Sequence, residues 1–362
     1  MPQPTWILIS PASNIFSTSS YAPEFAITRS VGTTVRVFFH SQLFITPPYP
    51  THPFTNQTII VTGTNKGLGL ETARHFYRLN CARLILAVRD VKNGYAAKED
   101  ILSSVNGRAY SKSDATAIQV WHLDLRSTAS TIALAGRVKT ELDRVDVLVK
   151  NAAVHTGIFE LVKGVEQALQ ESSRRRRRDD NLVPHLVVVS SEAHRFTSFL
   201  EINAPDLYKR MGGSEGRHKS YCATKLIEVL FVRELVARLG QKTNEKMQKR
   251  SPNPPPAPAT PEAEAPPPVI ISLVNPGFCS TTLGSDGKPF PLLVRIIRSL
   301  LDRTVEVGSR TLASRPRHPR ARTVSFRVMV RNQDVGAWIY EDVGRRAQAK
   351  VFEQTMRILE ER

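Results

Sequence analysis

The chain has 362 residues, of which 41% are hydrophobic and 23% are charged, a composition that excludes disordered and fibrous proteins. Its formal net charge is +17, but the most basic segments, 174–178 and 315–331, lack the interleaved aromatic residues of a base-stacking surface, so we expect no nucleic-acid partner. Three scattered cysteines argue against a disulfide framework or a metal site and favour a cytoplasmic setting. No apolar run approaches the roughly 20 residues of a transmembrane helix.

The first 54 residues lack a sustained hydrophobic period and end in the proline-rich run 46–53. We therefore expect residues 1–54 to be a poorly structured extension. The stretch 1–37 is rich in Ser and Thr, which leaves organelle import open as an alternative to a cytoplasmic location.

From residue 55 onward, short apolar runs alternate with helical stretches. Strands are predicted at 58–61, 83–88, 118–122, 145–149, 185–189 and 269–274, and helices at 68–79, 90–105, 128–142 and 221–239. Strands that alternate with helices in this way form parallel sheets. The predicted fold class is α/β, a single Rossmann-fold domain over 55–312 with a doubly wound parallel sheet.

Three segments depart from this rhythm. We interpret the Arg-rich run 172–181 as a solvated loop. Half of the residues in 251–268 are proline, which favours an extended surface insertion, with a ligand for a proline-recognition domain as the alternative. Residues 313–335 form an atypical basic segment without a clear period, and 336–362 are predicted to be a helical C-terminal region.

A glycine-rich turn joins the first predicted strand to the first predicted helix. Its residues are Thr62, Gly63, Asn65, Lys66, Gly67, Leu68 and Gly69. Glycines allow a tight turn and a close approach of backbone to a phosphate, and the helix that follows directs its free N–H groups at the anion. We expect the turn to bind the pyrophosphate of a dinucleotide; the alternative is an ordinary strand-to-helix turn.

The end of the second predicted strand decides between NAD and NADP. An acidic residue there binds the ribose 2′-hydroxyl of NAD, whereas an arginine accommodates the 2′-phosphate of NADP. Arg89 follows the strand and Lys66 lies in the glycine turn, so NADP is favoured over NAD. Asp90 is the residue that argues for NAD.

Tyr221 and Lys225 are four residues apart at the start of a long predicted helix, so both side chains lie on one helical face. Together with the Gly-x3-Gly-x-Gly spacing, this Tyr-x3-Lys motif resembles the short-chain dehydrogenase/reductase family. The resemblance runs in pieces from about residue 38 to 312 and again near the C-terminus. It is closest to fungal retinol-dehydrogenase-like reductases, such as those of secondary-metabolite gene clusters.

This resemblance implies a role for each matching residue. Tyr221 would exchange a proton with the substrate oxygen, because the Lys225 ammonium favours the phenolate. Lys225 would also bind the nicotinamide ribose, and Ser191 would hold the substrate oxygen, leaving Ser190 to cap local backbone. Further cofactor contacts would come from Asp124, Leu125, Asn151, Ala152, Pro276, Gly277 and Thr281. For Asp124 the alternative is a cap of the helix that begins near Ser127.

Two departures from the family pattern bear on activity. The family sequence Asn-Asn-Ala-Gly appears as Lys150-Asn151-Ala152-Ala153, which adds a Cβ where the backbone approaches the cofactor. A family helix that carries a catalytic asparagine has no counterpart at 170–182. Because that helix commonly forms the dimer interface, homodimerisation is left open.

The sequence therefore predicts an NADP-dependent oxidoreductase that transfers hydride between NADP(H) and a small carbonyl or alcohol substrate. The alternative is a catalytically impaired NADP-binding or interaction protein derived from the same family.

Overall fold

The computed structural model describes residues 24–25, 27, 31–105, 116–152, 183–212, 220–250, 269–280, 298, 300–314, 324–328, 331–332 and 335–360. The Arg-rich run 172–181, the Pro-rich stretch 251–268 and the gap expected at 170–182 lie outside the described residues.

One helix, α1 (Val31–Phe44), precedes the first strand. It falls within the extension 1–54, and the expectation that this extension is poorly structured is wrong for these residues. Hydrogen bonds from Gln42 to the main chain of Phe278 hold the helix in place. Because the fully buried side chains described in this helix are polar, hydrophobic periodicity gives no clear sign of it.

The described strands and helices alternate as the sequence predicts. The strands are β1 (Thr58–Thr62), β2 (Arg83–Val88), β3 (Ile118–His122), β4 (Val147–Lys150), β5 (His185–Val189), β6 (Ile270–Asn275), β7 (Val324–Val328) and β8 (Arg331–Asn332). The helices that follow α1 are α2 (Gly67–Arg78), α3 (Val91–Ser104), α4 (Thr128–Glu141), α5 (Leu207–Gly212), α6 (Ser220–Arg250), α7 (Val305–Ala313) and α8 (Asp342–Glu360).

All eight strands form one sheet in the order β3-β2-β1-β4-β5-β6-β7-β8. Neighbours from β3 to β7 are parallel, and only β8 runs antiparallel. The chain moves outward from β1 to β3 and then returns to place β4 on the other side of β1. Ligands of open α/β sheets bind at such a reversal, outside the carboxyl ends of the strands.

Strand β7 lies inside segment 313–335, which the sequence analysis sets apart from the domain. The structure corrects that boundary, because β7 pairs in parallel with β6 from Ile271↔Val324 to Asn275↔Val328. The strand alternates apolar and polar residues over five positions only, and the surrounding arginines hide this short period in the sequence.

The sheet is covered on both faces, as a doubly wound fold requires. On one face, Ile60, Leu148 and Val188 belong to a buried cluster with residues of α4, α6 and α8. On the other face, Val61 and Val149 belong to a second cluster with residues of α2, α3 and α7. The sheet thus holds the carboxyl ends of β1, β4, β5 and β6 at one edge, where the predicted site residues follow.

Candidate active site

The glycine turn has no room for side chains at two of its glycines. Gly63 has a φ of +71°, and a Cβ there would lie 2.9 Å from the Cα of Ala152. A Cβ on Gly69 would overlap the carbonyl oxygen of Gly63 and the side-chain nitrogen of Asn151. Gly67 also has a positive φ, of +64°, where α2 begins. Gly63 and Gly69 are therefore required because a Cβ does not fit there, and Gly67 is favoured because its φ is positive.

Hydrogen bonds from Thr62 and Asn151 tie the turn to the end of β4. The Thr62 Oγ1 accepts bonds from the backbone N–H groups of Asn151 (3.0 Å) and Ala152 (2.9 Å). In return, the Asn151 amide donates to the carbonyl oxygens of Thr62 (3.0 Å) and Gly63 (3.2 Å). The carboxyl ends of β1 and β4 are thereby fixed to each other at the reversal of the sheet.

Among the described residues, no side chain hydrogen-bonds to the start of α2 or to the Thr64 hydroxyl of the turn. No side chain caps the start of α2, and the Asn65 and Lys66 side chains at the tip of the turn are exposed. The Thr64 hydroxyl is buried, with no hydrogen-bond partner among the described residues. A backbone cradle that excludes Cβ atoms, next to an uncapped helix start, fits the pyrophosphate of a dinucleotide. Leu68 packs toward Gly308 of α7 and so fixes α2 from outside.

The Asp90 side chain is hydrogen-bonded within its helix, whereas the Arg89 side chain is exposed. The Asp90 carboxylate caps α3, accepting bonds from the Asn93 backbone N–H (3.1 Å) and the Asn93 side chain (2.7 Å). The Arg89 side chain is exposed beside the end of β2. The acid that argues for NAD is thus engaged within its own helix.

Asp124 lies at the end of β3 and forms a local turn. Its carboxylate accepts bonds from the backbone and guanidinium of Arg126, which lower its pKa, and the charge of Arg89 adds to the effect. The alternative role as a helix cap is wrong, because Ser127 caps α4 through its bond from the Ser130 backbone N–H. Leu125 packs against the core cluster on the α4 face.

Tyr221 and Lys225 lie in the first turns of α6, beside the end of β5. Tyr221 is 44% exposed. The Lys225 ammonium donates to the carbonyl oxygen of Val189 (2.8 Å) and to Glu228 Oε2 (3.1 Å). The lysine is therefore anchored to the edge of the sheet, with its charge close to the phenol-bearing helix turn.

The structure reverses the expected roles of the two serines after β5, because Ser191 and not Ser190 caps the local backbone. Ser191 Oγ accepts a bond from the Ala193 backbone N–H (3.2 Å) and caps a 3₁₀ turn at Glu192–Phe196. Ser190 is buried, and its hydroxyl has no hydrogen-bond partner among the described residues. Assigning the cap to Ser190 is wrong, because its side chain points into the core. A bond accepted by Ser191 leaves its hydroxyl proton available to a substrate oxygen.

A turn after β6 completes the edge. Gly277 has a φ of +85°, and its N–H donates to Asn275 Oδ1 (3.0 Å). Pro276 accepts a bond from the Cys279 thiol (3.6 Å), which packs beneath the turn. Thr281 lies outside the described residues.

Comparisons with known proteins agree with this arrangement. A family model described as short chain dehydrogenase matches residues 57–188. The chain is 34% identical to the short chain dehydrogenase/reductase dmxR8 of Cryptosporiopsis sp. over 76% of its length and 82% of that protein. It is 32% identical to the short chain dehydrogenase FGM9 of Gibberella zeae, over 78% and 79% of the two chains. It is 33% identical to the short chain dehydrogenase atnD of Emericella nidulans, over 76% and 84%.

The chain belongs to the short-chain dehydrogenase/reductase family. It is accordingly an oxidoreductase of a family that uses NAD(P) and acts on CH–OH or carbonyl groups of small molecules. Within the described residues, no helix has the length and apolar character to cross a membrane. That part of the chain also holds no group of His, Cys, Asp or Glu arranged for a metal ion.

Two charged residues near the site of this short-chain dehydrogenase/reductase, Glu228 and Lys150, are not predicted as site residues from the sequence. Glu228 is buried and pairs with Lys225, a contact that the i,i+3 spacing could have indicated. Lys150 stands at the end of β4; loss of hydration lowers its pKa to about 8, Glu228 opposes that shift and Lys225 adds to it. Two lysines thus share the surroundings of one carboxylate behind the site.

Proposed function

We propose that this chain is an NADP-dependent reductase, which transfers hydride between NADP(H) and a ketone or aldehyde, or the corresponding alcohol. The arrangement at the carboxyl ends of the strands carries the proposal: the glycine turn follows β1, Ser191 follows β5, and Lys225 on α6 hydrogen-bonds to the end of β5. Only β4 lies between these two parallel strands. In an open α/β sheet this edge is where a cofactor and its substrate meet.

The roles of the residues follow from their surroundings. When bound, the nicotinamide supplies or accepts the hydride. Tyr221 donates a proton from its exposed phenol to the carbonyl oxygen, and the Lys225 ammonium stabilises the phenolate that remains. The Ser191 hydroxyl donates a hydrogen bond to the same oxygen and holds it near the phenol. In the oxidative direction each proton moves the opposite way.

The remaining cofactor contacts belong to the same proposal. Asn151 and Ala152 would flank the dinucleotide at the turn, Asp124 and Leu125 would border the adenine, and Pro276 and Gly277 would border the nicotinamide. NADP over NAD is supported by the exposed Arg89 and Lys66 together with the engaged Asp90 carboxylate. The three cysteines are free thiols, which supports a cytoplasmic location.

The test is fluorescence titration of the purified full-length chain with NADPH and with NADH, followed by turnover on a panel of ketones and aldehydes. We expect NADPH binding and turnover. Tyr221→Phe should reduce turnover by about 10³-fold or more while NADPH binding changes less than about twofold. Binding without turnover on any substrate would favour a non-catalytic NADP-binding protein. Full turnover by the phenylalanine variant would refute the role of Tyr221.

A further inference from the structure

Helix α1 buries polar residues and exposes apolar ones. Among its described side chains, Thr34, Ser41 and Gln42 are the fully buried ones, whereas the apolar Val37 and Phe38 are half-buried, Phe38 against the ring of Phe278. A helix packed on a protein core normally does the reverse, placing an apolar stripe inward and polar residues outward. The packing of α1 against the described part of this chain therefore leaves Val35, Phe39, Leu43 and Phe44 exposed.

Polar contacts determine which face of α1 is turned outward. The Gln42 side chain donates to the carbonyl oxygens of Phe278 (2.9 Å) and Leu301 (2.6 Å), and it accepts a bond from the Phe278 N–H (3.1 Å). Arg303 donates to the carbonyl oxygen of Gln42 (2.8 Å). Because hydrogen bonds are directional, this clamp fixes the rotation of the helix about its axis.

The outward face forms part of a larger apolar surface. Gln42 binds the main chain at Phe278 and Leu301, and exposed apolar side chains occur there as well as on α1. We define the outer patch as these exposed side chains: Val35, Phe39, Leu43, Phe44, Phe278 and Leu300. Phe39 is 44% exposed, Phe44 76% and Leu300 74%. Single exposed apolar residues are common on protein surfaces, but a cluster of them marks a place where another surface binds.

The charges around the outer patch are basic. Arg36 and His40 are exposed on the same side of α1, and no Asp or Glu occurs between Glu24 and Glu71. On the exposed side of α1, Arg36 and His40 lie between Leu43 and Phe44, so apolar side chains and bases face outward together. Such a mixed face suits a membrane surface with anionic headgroups. A second copy docked about a two-fold axis would bring Arg36 and His40 of both copies together with no carboxylate of the helix to pair them.

The length of α1 fits a helix that lies on a membrane. Fourteen residues span about 21 Å, which is short of the roughly 30 Å hydrocarbon core. We propose that the outer patch docks the chain on an anionic lipid surface, with α1 parallel to the membrane plane. Its apolar side chains lie below the headgroups and Arg36 lies at the phosphates. This docking does not depend on the proposed reaction.

The test is co-sedimentation of the full-length chain with vesicles of phosphatidylcholine alone and of phosphatidylcholine mixed with phosphatidylserine. We expect binding to the mixed vesicles, weakened by salt. Phe39→Asp should reduce that binding at least about tenfold, since it removes apolar contact and adds a charge of the repelled sign. The matched control is Ile132→Asp, an exposed apolar residue of α4, which should bind as the wild type does.

Three results would overturn the proposal. The first is a lack of sedimentation with mixed vesicles, and the second is equal binding by the wild type and Phe39→Asp. The third is a dimer in sedimentation velocity that Phe39→Asp dissociates, without vesicle binding, which would assign the outer patch to a second copy. Circular dichroism melts confirm folding of each variant, and NADPH titration reports separately on the proposed function.

Discussion

The edge of the sheet consists of two halves that are built differently. The cofactor half contains the turn 62–69 and residues 151–152, and the catalytic half contains residues 190–192, Tyr221 to Glu228 and the turn after β6. In the cofactor half, backbone and side chains leave no space for a Cβ at Gly63 or Gly69. Shape therefore determines what this half can bind.

The catalytic half contains buried polar atoms that have no hydrogen-bond partner among the described residues. Among the described residues, the Ser190 hydroxyl, both carboxylate oxygens of Glu192 and one oxygen of Glu228 are buried without a hydrogen-bond partner. Burial also raises the pKa of the Glu192 carboxyl. Unpaired buried polar groups cost stability, and natural proteins keep them chiefly at functional sites. The comparison indicates that charge, more than shape, sets the properties of this half.

Gly69→Ala is the change that should break the cofactor half most completely. Its added Cβ would overlap the Gly63 carbonyl and the Asn151 side chain, so the turn must open. We expect NADPH affinity to fall by about 100-fold or more, measured by fluorescence titration. The matched control is Gly136→Ala in α4, where no atom lies within 4 Å of the new Cβ. NADPH affinity should not change in that variant, and retained affinity in Gly69→Ala would contradict the fit.

The cofactor half is also the part that the sequence predicts best. Its residues are nearly contiguous, and their glycines serve a local backbone geometry that follows from chain spacing alone. The strands before it are short buried runs of β-branched and other apolar residues, whose positions apolar patterning reveals. The reversal between β1 and β4 follows from the alternation of strands and helices.

The catalytic half and its surroundings depend on contacts that spacing does not reveal. Which of two adjacent serines caps the 3₁₀ turn depends on which side chain reaches the Ala193 backbone N–H. The clamp from Gln42 to Phe278 joins residues 236 positions apart. The environment of Lys150 depends on α6 packing across the end of β4. Each of these features depends on one residue or on a contact between distant parts of the chain, and hydrophobic periodicity reports neither.

Lys150→Met tests the electrostatic surroundings of the catalytic half, because Lys150 lies at the end of β4 near the charges of Lys225 and Glu228. The folded pKa of Lys150, about 8, is below its ordinary 10.5, so below pH 8 the folded state holds a proton that burial disfavours. The penalty shrinks as pH rises from 8 to 10.5, because the folded lysine is then neutral while the unfolded chain still binds the proton, and it is absent above pH 10.5. We expect the variant to be more stable than wild type by about 1–3 kcal/mol at pH 7, with the difference shrinking toward pH 10.5.

Denaturant unfolding of both proteins at pH 7 and at pH 10 measures this difference. Glu228 and Lys225, whose charges act on Lys150, are present in both proteins, and groups such as the Cys279 thiol, whose pKa burial raises to about 12, cancel in the comparison. A variant that is less stable at pH 7, or a difference in stability that does not change with pH, would contradict the lowered pKa of Lys150.

Arg89→Ala tests the exposed rim beside the cofactor half, at the end of β2, where charge must replace shape as the source of specificity. Arg89 lies beside the Asp124 carboxylate at the ends of β2 and β3, and the Asp90 carboxylate is held by Asn93. Removing the guanidinium should weaken NADPH about tenfold, or about 1.4 kcal/mol, because a solvent-screened charge contributes modestly to phosphate binding. NADH lacks the 2′-phosphate, so its affinity should change less than about twofold. Isothermal titration with both nucleotides gives the ratio, with Arg83→Ala as the control because Arg83 lies at the opposite end of β2. Equal losses for the two nucleotides would mean that Arg89 supports the fold of this corner and does not distinguish NADP from NAD.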